Sequence, residues 1–312
     1  MAKNCYVFAD GSNESGTGHL RRAQTISQKI CNRYETMFLY SNEFQRKFYE
    51  DNNLKSINLN ELNDYLDGTL IIDTKRNIPE LLLSFGIKQK KIYLDHYHKN
   101  ITKDDLLIFP TFYLNDDTQK NIKSKGICYK FGKEYMLLRD EFLQKPTQNE
   151  FNSSHITISF GGTDPNNLSQ KTLESLNFKN EKVICIKGKQ NKNDIRIPSH
   201  LVSNVEIIEN TDEIAKIFRS SKLVITAMGT TIQELFFLKK PFALICNYKE
   251  DMKDIDSIKE NLTKEGLAKL LNFYHYYKDL PKKNNLEIKN YYPKKLVSTS
   301  FKQFGTYWDK LL

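Results

Sequence analysis

Short runs of β-branched and aromatic residues recur along the chain, separated by stretches in which apolar positions return every three or four residues. The runs CYVFA (5–9), TMFLY (36–40), TLIID (69–73), KIYLD (91–95) and DLLIF (105–109) have the length and composition of buried strands, and the intervals 19–30, 42–49 and 78–84 have helical spacing. This alternation predicts βα units on a parallel α/β sheet. Around DEFLQKPTQNEFNSSH (140–155) it fades into a polar, proline-containing segment, and we place a domain boundary there, giving domains 1–148 and 149–312. The second half restarts with strands ITISF (156–160), KVICI (182–186), VEII (205–208), LVIT (223–226) and FALI (242–245), and helices beginning at Asn166, Thr211 and Thr231. Two Rossmann-like, doubly wound domains facing across a cleft are expected, with ligands outside the carboxyl ends of the strands. The remainder reads as less regular: LNFYHYYKDL (271–280) and NYYPKKL (290–296) are aromatic and basic, and 298–312 is a helical tail carrying Trp308 that crosses back.

At 312 residues the chain exceeds the size of one ordinary core, which agrees with two domains. Its formal charge of +9 is concentrated in loops such as KQKK (88–91) and PKKNN (281–285), which read as solvated surface. Helix-turn-helix, zinc-finger and RNP patterns are absent, so nucleic acid is not an expected partner. Five scattered cysteines without a C-x-x-C pair suit a reduced cytoplasm. MAKNCYVFAD runs straight into a strand, and no stretch reaches the roughly 18 apolar residues needed to span a bilayer. The aromatic, basic tail leaves peripheral membrane contact open.

Three glycine-bearing turns lie between a strand and a helix: DGSNESGTGH (10–19), FGGTDP (160–165) and TAMGTT (226–231). Each presents unpaired amides at a helix start, where the macrodipole favours an anion, and together they suggest a phosphorylated ligand. None has P-loop or G-x-G-x-x-G spacing. Each also has a purely structural reading, with Asp164 as N-cap before Pro165 and Thr231 with Glu234 as a capping box. His19 either performs chemistry or only opens its helix. In LDHYHKN (94–100), Asp95, His96 and His98 sit at a strand end; alternation across a strand argues against His96 and His98 sharing a metal and for substrate contact.

The order of these motifs carries a resemblance. SFGGTDPNN (159–167), ITAMGTTIQELFFLKKPFALI (225–245), FGKEYMLLRDEF (131–142) and the G-x-G-H-x-x-R of Gly16, Gly18, His19 and Arg22 are similar to those of the UDP-sugar hydrolases of pseudaminic acid biosynthesis, over roughly residues 5 to 265. That family is related to the GT-B transferases that add N-acetylglucosamine to the peptidoglycan lipid precursor. The resemblance implies a GT-B fold, a UDP-sugar substrate, and neither metal nor cofactor. It places Gly161, Gly162 and Thr163 along one wall of the nucleotide site, Gly229, Thr230 and Thr231 at the diphosphate, and Glu234 at the ribose, with Met228 also among the nucleotide-binding residues. It makes His19 the base that activates water against the anomeric carbon with inversion; we expect Asp10 to orient it. The sugar or acceptor side would comprise Gly16, Gly18, Arg22, Asp73, Lys75, Asp95, His96, Glu250 and Asp251. Two departures stand out: Asp73-Thr74-Lys75 replaces the family's Asp-x-Tyr, and Glu250 and Asp251 stand where the family has Asn-Gln. The alternatives are an inverting glycosyltransferase meeting a glycan or lipid-linked acceptor, and a catalytically silent nucleotide-binding protein.

Overall fold

The computed structural model describes residues 3–12, 16–62, 65–75, 78–84, 86–87, 91–145, 154–178, 180–280, 286–287 and 308. They form two compact units, Met1–Leu137 with Lys302–Leu312, and Leu138–Phe301. The division falls before the polar segment in which the sequence places it. The reason is Arg219, whose Nη2 donates to the carbonyls of Glu141, Phe142 and Gln144 at 2.6, 3.2 and 3.0 Å and ties the segment after Leu137 to the second unit.

The first unit is built from β1 (Lys3–Ala9), β2 (Tyr34–Tyr40), β3 (Ser56–Asn58), β4 (Tyr65–Leu66), β5 (Thr69–Asp73), β6 (Gly86–Ile87), β7 (Lys91–Leu94), β8 (Leu106–Phe109) and β9 (Cys128–Phe131). Apart from β4 and β6, which pair with each other, these strands form a seven-stranded sheet in the order β3-β2-β1-β5-β7-β8-β9. All its pairings are parallel. Because strand side chains alternate, Cys5, Val7 and Ala9 enter one core, with Leu20, Ala23 and Ile26 of helix α1 (Gly18–Ile30). Phe8 enters another, with Ile72 and Leu82. Helices on both faces explain why β5 is buried along its whole length. Helix α2 (Glu43–Asp51) is capped by Asn42, α3 spans Glu80–Ser84, and α4 (Asp116–Ser124) is capped by Asn115. Trp308 is buried in the α1 core and donates its indole N–H to the Tyr135 carbonyl at 2.6 Å. The rest of the tail 298–312 lies outside the described residues.

The second unit opens with α5 (Asp140–Leu143) and contains β10 (His155–Ser159), β11 (Leu176–Asn177), β12 (Val183–Lys187), β13 (Val205–Glu209), β14 (Ser221–Thr226), β15 (Phe242–Cys246), β16 (Leu271–Tyr276) and β17 (Leu286–Glu287). Its parallel six-stranded sheet has the order β13-β12-β10-β14-β15-β16, and β11 pairs with β17. LNFYHY is thus an edge strand rather than an irregular segment, with Phe273 packed into the core. Helices α6 (Leu168–Ser175), α7 (Ile214–Arg219), α8 (Thr230–Leu238) and α9 (Ile255–Lys264) complete the unit.

The FGGTDP turn after β10 leans on the turn after β12. Gln190 N donates to Gly162 O at 3.1 Å, and a Cβ on Gly188 would stand 2.4 Å from Gly161 O and 2.6 Å from Gly162 Cα. Two backbones meet there, so Gly188→Ala is expected to cost about 1–3 kcal/mol, as overpacking does. The loss is read as a lowered melting temperature; an unchanged melt would show that the turns part without penalty.

Candidate active site

In both sheets the strand order reverses next to the first strand of its unit, between β1 and β5 and between β10 and β14. Ligands of doubly wound sheets bind outside the carboxyl ends of strands at such a reversal.

In the first unit, α1 starts just after β1, and its residues His19 and Arg22, three apart, share a face. That face meets Asp73 at the end of β5. Arg22 forms a two-pronged pair with the Asp73 carboxylate, Nε to Oδ2 at 2.7 Å and Nη2 to Oδ1 at 2.6 Å. Its Nη1 donates to Asp95 Oδ2 at 2.9 Å. The chain reaches that position because β7 ends at Leu94 and Asp95 takes a left-handed conformation (φ 66°), so the backbone turns where the sequence suggested a continuing strand. Asp73 has no exposed surface and Arg22 is 8% exposed, so this pair is held out of water, with Asp95 at its wetter side.

His19 Nδ1 lies 2.7 Å from Asp73 Oδ1. Burial by itself would raise the Asp73 carboxyl, but the Arg22 charge, then His19, and their hydrogen bonds bring it down to about 2. Two groups meet Nδ1: this carboxylate, which only accepts, and Arg22 Nη2, a donor at 3.1 Å. The carboxylate is the shorter contact and Nη2 already donates to it at 2.6 Å, so Nδ1 carries the proton and, in the neutral ring, Nε2 carries the lone pair. Asp73, not Asp10, is therefore the carboxylate that orients His19. Asp10 is buried nearby and donates its amide to the Asp73 carbonyl at 2.8 Å.

His96 stands beside His19, ring centroids 6.2 Å apart and edge-on. Burial is the main reason its imidazole is lowered to about 4; Lys75, Arg22 and His19 push the same way and Asp95 opposes them. It is uncharged at neutral pH, and its buried Nε2 has no hydrogen-bond partner, standing 3.7 Å from Asp95 Oδ2. His98 turns elsewhere, Nε2 meeting the Thr74 carbonyl at 2.9 Å. Lys75 is exposed, as is Gly18, where a Cβ would meet nothing within 4 Å; Gly16 is buried with φ 73°. Among the described residues no group of three or more His, Cys, Asp or Glu side chains could hold a metal.

The second unit assembles the other set. Gly161, Gly162 and Thr163 follow β10, and Met228 and Gly229 lead into Thr230 and Thr231 at the start of α8, with a Cβ on Gly161 or Gly229 meeting nothing within 4 Å. Asp164 does cap α6, accepting from Leu168 N and Ser169 N at 2.7 and 2.9 Å, but that helix starts at Leu168, so Pro165 is not its first residue. Nor does a capping box form at α8, which begins at Thr230 with Gly229 as its N-cap. Glu234 instead takes Arg139 Nε on Oε1 at 2.9 Å. Burial raises the Glu234 carboxyl against the pull of Arg139. Arg139 lies in FGKEYMLLRDEF without having been singled out; a cation just ahead of α5 was the only sequence signal. Glu250 and Asp251 form a short helical turn after β15, Glu250 exposed and Asp251 Oδ2 accepting from Tyr248 N at 3.2 Å.

No helix among the described residues is long and apolar enough to cross a membrane. Residues 156–291 match the glycosyltransferase family 28 C-terminal domain. The chain is 26% identical to an uncharacterized protein of Methanocaldococcus jannaschii, over 83% of this chain, and spans about 60% of that protein's length. It is 24% identical to the UDP-2,4-diacetamido-2,4,6-trideoxy-beta-L-altropyranose hydrolase of Campylobacter jejuni, over 77% of this chain and 90% of that one. Among solved structures, TcCGT1 in complex with UDP superimposes with a TM-score of 0.58 at 10% identity, covering 90% of this chain and 88% of the other. Two parallel sheets of Rossmann-like order and these likenesses give the chain a GT-B fold and support an enzyme of the glycosyltransferase superfamily.

Proposed function

We propose that this protein is an inverting hydrolase that releases UDP from a UDP-activated amino or deoxy sugar. The observation that carries this reading is the 2.7 Å contact of His19 Nδ1 with Asp73 Oδ1, which leaves Nε2 as a proton acceptor. Neutral Nε2 takes a proton from water, the oxygen bonds to the anomeric carbon, and the bond to the diphosphate oxygen breaks. The imidazolium that forms is stabilised by ionised Asp73, as in other carboxylate-oriented histidines. UDP leaves with the electron pair of the broken bond, and the amides at the start of α8 and the hydroxyls of Thr230 and Thr231 receive its charge. A diphosphate leaves readily, so one base suffices where ordinary glycosidases need two carboxylates. Gly161, Gly162, Thr163 and Met228 line the nucleotide, and Glu234 meets the ribose. Arg22, Lys75, Asp95 and His96, with Glu250 and Asp251, bound the sugar side. Its five free thiols suit a cytoplasmic enzyme of surface-glycan synthesis.

Similarity to the Campylobacter jejuni hydrolase supports water as the acceptor, whereas the family 28 match favours a second reading, transfer to a glycan or lipid-linked hydroxyl. Incubation with a UDP-diacetamido-trideoxy sugar and no acceptor decides between them. Free sugar and UDP in equal amounts, with the anomer first formed inverted, is the expected result. Product only when an acceptor is added makes it a transferase, and no product in either case removes both.

A further inference from the structure

The core beneath α1 holds a polar group to which the chemistry above gives no role. Tyr49 has no exposed surface, and its hydroxyl oxygen is buried without a hydrogen-bond partner. A hydroxyl left unsatisfied inside a core costs free energy, and phenylalanine would fill the same space without that cost.

The direction of this hydroxyl follows from the register of the sheet. On α2, Gln45 and Tyr49 are four apart and share a face. Gln45 Nε2 donates to the Ala9 carbonyl at 2.8 Å, which sets the start of α2 over the carboxyl end of β1. One turn further on, the Tyr49 ring rests 4.9 Å from that of Phe38. Phe38, Val7 and Ile71 lie level on three adjacent strands and enter the same core as Tyr49. Asp73 is two residues beyond Ile71, so it stands on that face, one step nearer the strand ends. Helical side chains lean back towards the start of their helix, so the phenol runs from the level of Ile71 towards Asp73. The Asp73 charge reaches it: burial first, then that carboxylate, hold the Tyr49 phenol well above its ordinary range. The carboxylate has room for another donor, since Oδ1 takes His19 and Arg22 Nη2 whereas Oδ2 takes Arg22 Nε.

We infer that Tyr49 is a positioning residue for the base, its hydroxyl donating to the Asp73 carboxylate through one enclosed water and so setting how strongly Asp73 holds His19. Enclosed waters serve buried polar groups that lack a protein partner, typically with about three hydrogen bonds. A further donor spreads the charge of the carboxylate and weakens its pull on the His19 N–H. The effect on turnover rests on the hydrolase reading above, whereas the link to His19 does not.

Tyr49→Phe removes the hydroxyl and keeps the ring. Asp10, Arg22, Lys75, Asp95 and His96, the other titratable and charged groups around the pair, are the same in both proteins. The proton on His19 Nδ1, followed by NMR in the full chain without substrate, is expected to move downfield in the variant as its bond to Asp73 tightens. The acid limb of kcat/KM for UDP-sugar cleavage should shift to higher pH by about 0.3–1 unit, so activity on that limb falls about 2–10-fold while the plateau stays within about two-fold. A purely structural tyrosine moves neither reading. An unmoved resonance, or an unmoved limb in an active variant, overturns the inference; a variant that also melts higher than wild type would mark the hydroxyl as an unsatisfied group of the core. A crystal structure with neither water nor Asp73 within hydrogen-bond reach of the Tyr49 oxygen overturns it as well. A shifted resonance with no cleavage by either protein keeps the link between Tyr49 and Asp73 and removes the hydrolase reading.

Discussion

His19→Asn is expected to lower kcat for UDP-sugar cleavage by about 10²–10⁴-fold, the usual contribution of a positioned general base. Asparagine retains a polar side chain at the start of α1 but has no basic nitrogen for the proton of water. The residues proposed to hold the nucleotide belong to the other unit, so UDP affinity measured by calorimetry should stay within a few-fold of wild type. The fold should survive, because His19 lies at the rim of the charge cluster, its side chain 13% exposed. Loss in kcat with KM almost unchanged would identify an interaction made in the transition state. Undiminished turnover would remove His19 from the chemistry, and a parallel loss of UDP binding would show that the variant acts through the fold.

The second large effect is expected at Asp73, where two substitutions separate two roles. Asp73→Ala leaves the buried Arg22 guanidinium with Asp95 as its remaining carboxylate, and breaking a buried pair from one side typically costs about 3–5 kcal/mol. Asp73→Asn keeps the shape, but its amide can donate to His19 Nδ1, moving the ring proton to Nε2 and blocking the base; turnover should fall by about 10²-fold or more. Thermal melts check the first and steady-state kinetics the second. The same pair governs acid stability. The folded-state Asp73 carboxyl is depressed to about 2, below its ordinary value of roughly 3.9, so its contribution is fully present above about pH 4 and is lost as the pH falls through 2. Asp73→Asn should flatten that stretch of the stability profile. A melting temperature within a degree of wild type in both variants at pH 7 would contradict the account of the cluster.

The βα alternation was legible because every central strand is a run of apolar residues bounded by turn chemistry, and buried parallel strands require that. His19 and Arg22 were legible as a pair because a three-residue step on a helix is local geometry. What orients His19 was not. Asp10 is nearer in sequence, whereas Asp73 becomes its neighbour only because β5 pairs with β1, a choice of strand order that no local pattern encodes. The same limit hid Arg139, which meets Glu234 across 95 positions. The capping box was displaced by a tertiary partner: Glu234 takes a charge-assisted hydrogen bond from the Arg139 guanidinium in place of one to its own helix start. LNFYHY was read as irregular because its aromatic run lacks clean alternation, and an edge strand of a parallel sheet need not show any.

Trp308 ties the first unit to a stretch of sequence that lies beyond the second. The chain enters the second unit after Leu137, and Trp308, which follows that unit in sequence, closes the first unit's hydrophobic interior. During synthesis that interior is therefore completed only after the second unit has emerged, so a ribosome-bound intermediate that stops short of Trp308 still lacks its indole plug. Swapping the front half of this enzyme into a relative by a single crossover would leave that plug behind, which makes the two halves heritable as a set.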